Sequence, residues 1–183
     1  MQVLYFVRHG ESQDNLDRVW SRHDTPLTEH GRKQARTAGR LLKKQGIQFD
    51  LIVSSPLRRA RDTALIIAKE LAYPSTKIQL LDLLVERDHG ELIGTSGLTI
   101  SDKPFTRLDL EEVSTAEKMA ELHQRAEQAL MSLRATGASS VLMISHGTFG
   151  RALRRVINNE APELEFDPKK YWRLDNGEVV RFI

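Results

Sequence analysis

Two histidines in this chain stand at the ends of apolar runs, and each is followed by glycine. His9 follows Val3-Leu4-Tyr5-Phe6-Val7-Arg8 and precedes Gly10; His146 follows Val141-Leu142-Met143-Ile144-Ser145 and precedes Gly147. Imidazole can serve as nucleophile or proton carrier near neutral pH. Apolar runs of this kind read as buried strands, and the glycine after His9 permits a sharp exit. Ligands of open α/β sheets gather at the carboxyl ends of strands, so both imidazoles are expected at one site. Arg8 adds a planar fork that matches phosphate or carboxylate oxygens. For one such histidine the plainer alternative is a core residue beside a surface arginine. Repetition of the pattern within one small chain weighs against it.

The elements that would position these residues alternate between strand and helix. After the first strand and a polar segment from Gln13 to Pro26, Thr28-Glu29-His30-Gly31 opens a helical pattern with Ala35, Ala38, Leu41 and Leu42 on one face. Gly46 ends it as a C′ glycine. Phe49 to Val53 reads as a second strand, and Ser54-Ser55-Pro56 as a serine N-cap with proline at N1. The helix that follows carries Leu57, Ala60, Ala64, Ile67, Ala68 and Leu71 as its apolar stripe. Lys77–Leu81 reads as a third strand, Ala116–Ala135 as a long helix, and Thr148–Val156 as a helix behind His146. Tyr171–Leu174 and Val179–Ile183, joined through Asp175-Asn176-Gly177-Glu178, predict a terminal hairpin. The alternation predicts one domain over residues 1–183: a three-layer α/β/α sandwich with a mostly parallel central sheet and an antiparallel edge. The segment at 92–115 has little periodicity and is expected to form a short cap or wall of the site.

The 183 residues contain no cysteine, which excludes disulfides, thiolate metal ligands and a cysteine nucleophile. A net charge of +2 does not by itself imply nucleic acid. Arg151, Arg154 and Arg155 on one helix read as a solvated face rather than a nucleic-acid surface. No apolar stretch is long enough to span a membrane, and no leader pattern precedes the first strand. The expectation is a cytoplasmic protein without a membrane or nucleic-acid partner, its oligomeric state left open.

Taken together, Arg8-His9-Gly10-Glu11-Ser12 with Asn15, Pro26-Leu27-Thr28 with Gly31, Ser55-Pro56-Leu57-Arg58-Arg59-Ala60, Glu86-Arg87-Asp88-His89-Gly90-Glu91 and Ser145-His146-Gly147 resemble the histidine phosphatase superfamily, also called phosphoglycerate-mutase-like. The blocks follow the family's order across most of the chain. The resemblance implies that His9 becomes a transient phosphohistidine, that Arg8 and Arg59 clamp the phosphate, and that His146 stabilises charge on the transferred group. Arg59, rather than Arg58 or Arg61, holds the family's place before alanine. Glu86 matches the general acid, with Asp88 as its rival. A carboxyl group that protonates a leaving oxygen needs a raised pKa, and Leu83-Leu84-Val85 make burial of Glu86 the expected cause.

Substrate binding is further expected from Asn15, Arg87 and Gly147. Asn15 could equally be a turn asparagine, and Arg87 a surface arginine. Trp20 is either a pocket wall or simple packing. His23, His30, His89 and His123 are read as ordinary histidines. No histidine pair has convincing metal spacing, and neither a metal nor a cofactor is required by the chemistry.

Two departures from the family pattern matter. The segment after Glu91 is shorter than in phosphoglycerate mutases, and Arg18-Val19-Trp20-Ser21-Arg22 lacks a glycine often found there. A less enclosed pocket exposes the phosphohistidine to water, which favours hydrolysis of a phosphorylated small molecule or phosphoprotein. Mutase-type phosphoryl transfer is the alternative, and a weakly active phospho-ligand-binding regulator is a further one.

Overall fold

In the computed structural model the described residues are 1–96, 99–100, 103–104, 113–163 and 172–183. Half of the expected cap at 92–115 lies outside them, as does Tyr171. The elements are β1 (Val3–Arg8), α1 (Gln13–Leu16), α2 (Glu29–Lys44), β2 (Leu51–Ser54), α3 (Arg58–Glu70), β3 (Gln79–Leu80), a two-stranded β4 (Thr99–Ile100) and β5 (Lys103–Pro104), α4 (Met119–Ala135), β6 (Ser140–Ser145), α5 (Gly147–Ile157) and β7 (Val179–Arg181).

Side-chain alternation along the strands builds the layers. Leu4 and Phe6 of β1, Val53 of β2, and Val141 and Met143 of β6 pack on one face against Leu122, Ala126 and Leu130 of α4 and Phe149 and Leu153 of α5. The intervening Val7, Ile52, Leu142 and Ile144 pack on the other face against Ala38 and Leu42 of α2 and Ala60, Ala64 and Ile67 of α3. Helices thus cover both faces of one sheet, ordered β3-β2-β6-β1-β7. Its β1–β6, β2–β6 and β2–β3 pairs are parallel, and β1–β7 is antiparallel. The expected α/β/α architecture with an antiparallel edge is present.

Local boundaries differ from the sequence reading in instructive ways. α2 has the expected Thr28 cap, whose hydroxyl accepts from the Gly31 amide at 2.9 Å, and Gly46 follows with φ +68°. α3, by contrast, starts only at Arg58, with Leu57 at its N-cap. Ser55 stands two residues before the cap, where its hydroxyl accepts from the Leu57 amide at 3.3 Å and also meets His146. α4 begins at Met119 instead of Ala116, because the backbone of Glu117 is drawn into pairing with Arg87 and Asp88. The terminal hairpin does not form: Trp172–Leu174 are not strand, and β7 pairs with β1, Phe6 opposite Val180.

Gly10 acts through proximity. A Cβ on Gly10 would collide with the Gly31 carbonyl, and a Cβ on Gly31 with the Glu11 carbonyl. Absence of side chains lets the loop after β1 lie directly on the first turn of α2. No helix among the described residues is long and apolar enough to cross a membrane.

Candidate active site

Parallel register brings the carboxyl ends of three strands side by side. Arg8 lies opposite Ser145, and Ser54 opposite Ile144. The ladder extends one residue beyond each strand: the His9 amide donates to Ser145 O at 2.9 Å, and the Ser55 amide to Ile144 O at 3.0 Å. His9, His146 and Ser55 therefore leave the sheet together, as expected of a ligand site in this architecture.

The two imidazoles lie 5.0 Å apart, ring centre to ring centre, at 62°. His9 is buried, and its Nδ1 sits 2.7 Å from Gly10 O. A carbonyl can only accept, so Nδ1 carries the proton and Nε2 keeps its lone pair. Arg59, also buried, donates from Nε to that Nε2 at 3.2 Å and from a terminal nitrogen to Arg22 O at 2.8 Å. Burial first, then the charges of Arg59 and Arg8, hold the His9 pKa well below 6.5. The imidazole is neutral at neutral pH, as a nucleophile must be.

His146 is fully buried, with Nε2 2.9 Å from Ser55 Oγ. Burial, then Arg59, His9 and Arg8, lower its pKa well below 6.5. Arg8 is anchored by a 2.6 Å bond to Leu174 O, and Gly147 lies against its guanidinium. Arg59 lies in the first turn of α3, where the helix dipole also favours an anion. Desolvation brings its pKa down to about 10, which leaves it charged at neutral pH.

Glu86 corrects an expectation. Its carboxylate accepts from the amides of Thr148 at 3.1 Å and Phe149 at 3.0 Å, in the first turn of α5, and from the Arg87 amide at 3.0 Å. Burial favours a raised pKa, but neighbouring His89 and these three amides outweigh it, and the pKa lies below 4.5. His89 itself is pushed down to about 4, chiefly by burial, so it is uncharged at neutral pH and the amides carry the effect there.

A cleft of about 660 Å³ is lined by Arg8, His9, Asn15, Arg59 and Glu86, with Trp20 and His89 as a wall. Arg18 and Arg173 also border it. Trp20 packs against His89 with ring centres 4.3 Å apart, so it is both packing and pocket wall, and His89 belongs to the site. Asn15 caps α1 in a reciprocal pair with Ser12, and its Oδ1 also accepts from Asn176. With that oxygen engaged, the amide nitrogen is the group able to donate toward an anion.

Arg87 is neither a surface arginine nor part of this lining. It is buried, and its Nε donates to Glu117 O at 2.7 Å. Arg58 pairs with Asp24 and Asp62, and Arg61 is exposed. The three arginines of α5 are not a uniformly solvated face: Arg151 is buried beside Glu163, Arg154 stacks 4.4 Å over Trp172, and Arg155 pairs with Glu160.

Several supporting residues were not among the expected site residues, although Thr63 belongs to the block that runs from Ser55 to Ala64. Thr63 accepts from the Gly10 amide and donates to Arg59 O, tying the His9 loop to α3. Asp14 accepts from the Arg22 amide and side chain, both at 2.7 Å, and so fixes the carbonyl that holds Arg59. Asn176 donates to His9 O at 3.0 Å. Only the Asp-Asn-Gly turn signal pointed at that last residue.

Comparison with known proteins agrees with this geometry. Residues 4–182 match the histidine phosphatase superfamily (branch 1). A 2,3-bisphosphoglycerate-dependent phosphoglycerate mutase from Bartonella bacilliformis is 33% identical over 180 residues, covering 88% of this chain and 84% of the relative. A mycobacterial glucosyl-3-phosphoglycerate phosphatase superposes with a TM-score of 0.81 at 26% identity, over 99% of this chain and 90% of the other. The α-ribazole phosphatase from Shigella flexneri shares the fold, with a TM-score of 0.77 at 24% identity over 98% of this chain and 89% of the other.

Proposed function

Because the chain belongs to the histidine phosphatase superfamily, we propose that it is a metal-independent phosphomonoesterase acting through a phosphohistidine on His9. One observation supports this most directly: Gly10 O fixes the proton on Nδ1, leaving Nε2 basic, unprotonated and directed at the buried Arg59. In the first step Nε2 attacks phosphorus, and the bond to the leaving oxygen breaks. Arg8, Arg59 and the amide of Asn15 hold the non-bridging oxygens, and His146, buried beside His9 rather than lining the cleft, stabilises charge on the transferring group from behind it. Glu86 gives its proton to the departing alkoxide. In the second step water attacks the phosphohistidine, the N–P bond breaks, and the Glu86 carboxylate takes the proton from water. Inorganic phosphate leaves, and both side chains return to their starting state.

The lowered pKa of Glu86 suits its basic role directly. For the acidic role, an incoming phosphate dianion beside it raises its proton affinity. Gly147 contributes by its place, opening α5 beside the Arg8 guanidinium that holds the phosphate. The substrate is a phosphorylated small molecule or phosphoprotein, and the cleft volume fits the former.

A mutase reading draws support from the Bartonella relative's name. Release of phosphate from a panel of monoesters in EDTA, compared between wild type and His9→Ala, separates the two. EDTA-resistant turnover lost in the variant supports the hydrolase. Efficient interconversion of phosphoglycerates in added 2,3-bisphosphoglycerate, with negligible phosphate release, supports the mutase.

A further inference from the structure

Glu86 sits in a stretch with no ladder to hold it. A 3₁₀ turn covers Asp82–Leu84, and Val85–His89 belong to neither helix nor strand. The carbonyls of this stretch are instead held by a side chain from α4. Arg125 donates from one terminal nitrogen to Leu83 O and Val85 O, both at 2.8 Å, and from the other to Glu86 O at 3.4 Å. Its remaining N–H groups meet the Glu117 carboxylate at 2.8 and 2.7 Å. All five donors of the guanidinium are therefore used. The same guanidinium lies 5.4 Å from the centre of the Phe149 ring, and the Phe149 amide is one of the donors gripping the Glu86 carboxylate. Glu117 extends the brace: its carboxylate accepts from the Asp88 amide, and its carbonyl from Arg87.

We propose that Arg125, with Glu117 as its anchor, is a positioning residue that sets where the Glu86 carboxyl stands relative to the leaving oxygen. It never touches substrate. One guanidinium contacts both the backbone that carries the carboxyl and the residue whose amide orients it, so its loss shifts the proton donor while leaving His9, Arg8 and Arg59 in place. Lysine cannot substitute, because a point ammonium with three donors does not span three carbonyls and a carboxylate. This inference rests on the phosphatase reading of the same site.

The test compares an alkyl ester, β-glycerol phosphate, whose leaving group needs a proton, with p-nitrophenyl phosphate, whose leaving group does not. Arg125→Lys and Arg125→Gln are expected to lower kcat/KM, which reads the phosphoryl-transfer step and not the later attack of water, by roughly 30- to 100-fold on the alkyl ester, the scale of a 1 Å misplacement, and by less than about 3-fold on the aryl ester. Glu117→Gln keeps Arg125 and its carbonyl bonds, and the same selective loss is expected at about 5- to 10-fold. That variant decides the matter if the Arg125 variants do not fold. Parallel losses on both esters in folded protein, or no loss on either, overturn the proposal. His9→Ala run alongside reports on the phosphatase reading separately: if it retains turnover of both esters, that reading has failed, whatever the Arg125 variants do.

Discussion

Arg59 and His9 share a hydrogen bond, Arg59 Nε to His9 Nε2, at 3.2 Å. It occupies the lone pair that a nucleophile must present. Under the proposed mechanism a phosphoryl group in the cleft would offer Arg59 better acceptors, so that binding of the substrate and unmasking of the nucleophile would be one event. The protein's own residues leave this pairing electrostatically incomplete: Arg59 is a buried guanidinium with no salt bridge among the described residues, and its hydrogen-bond acceptors, His9 Nε2 and Arg22 O, are neutral.

That incompleteness gives a first expectation. Inorganic phosphate or vanadate should raise the unfolding free energy by about 2.7 kcal/mol at a hundred times its Kd. Arg59→Met should erase most of this increment without lowering the stability of the ligand-free protein, since a desolvated cation has been removed. Thermal melts with and without ligand check both. A variant that keeps the whole increment contradicts the assignment of Arg59 to the phosphate.

Glu86→Gln should lower kcat/KM by about 10²- to 10⁴-fold on alkyl phosphates and far less on p-nitrophenyl phosphate. The acid form of Glu86 becomes scarcer as pH rises, because its pKa lies below 4.5 in the free protein. For alkyl esters kcat/KM should therefore decline with rising pH through the mildly acidic and neutral range, while the aryl ester shows a flatter profile. Equal pH profiles for the two esters would remove Glu86 from the leaving-group step.

Acid should destabilise the fold before carboxylates alone would do so. His9, His146 and His89 are all held below 6.5 in the folded protein, His89 at about 4. Between that value and 6.5 the unfolded chain binds more protons, so their contribution is present above 6.5 and is lost as pH falls through the window. Glu86, also lowered, acts in the same direction further down. For His89 the loss from pH 7 to pH 5 is about 2 kcal/mol. Urea denaturation of wild type and His89→Gln at both pH values measures it, and equal pH dependence in the two proteins would count against the argument.

Ser55→Ala removes the hydroxyl 2.9 Å from His146 Nε2. The imidazole then loses the contact that fixes its orientation. A fall in kcat of about 10-fold is expected, with a stability loss of about 1–3 kcal/mol for the buried group left unpaired. Ser55→Thr, which retains a hydroxyl, should recover part of the rate. Unchanged kcat in Ser55→Ala would show that His146 is held by packing alone.

Arg8, His9 and His146 were legible as site candidates because each stands at the end of an apolar strand, whereas Arg59 and Glu86 came only with the family resemblance, Arg59 by its place before an alanine and Glu86 by the block Glu86–Glu91. Their brace was not legible. Arg125 is one cation among several on a long helix, and nothing local says that its fork meets carbonyls some forty positions earlier. The same blindness reversed the pKa of Glu86: the apolar residues before it announce burial, while two of the three amides that offset burial come from α5, about sixty positions later. The terminal turn was legible, but its purpose was not. Asp175-Asn176-Gly177-Glu178 reads as a hairpin by local chemistry, whereas Asn176 and Gly177 spend their N–H groups on His9 O and Arg8 O, and β7 goes on to pair with β1.

The contact of Gly10 with Gly31 has a consequence for how this sequence can vary. Each Cβ would strike backbone rather than a movable side chain. Enlarging one position therefore cannot be compensated by shrinking the other, which is already minimal. The two positions form a single hereditary unit with one allowed state, although a whole loop separates them in the chain. Whatever else varies between them, both ends of the unit must stay glycine.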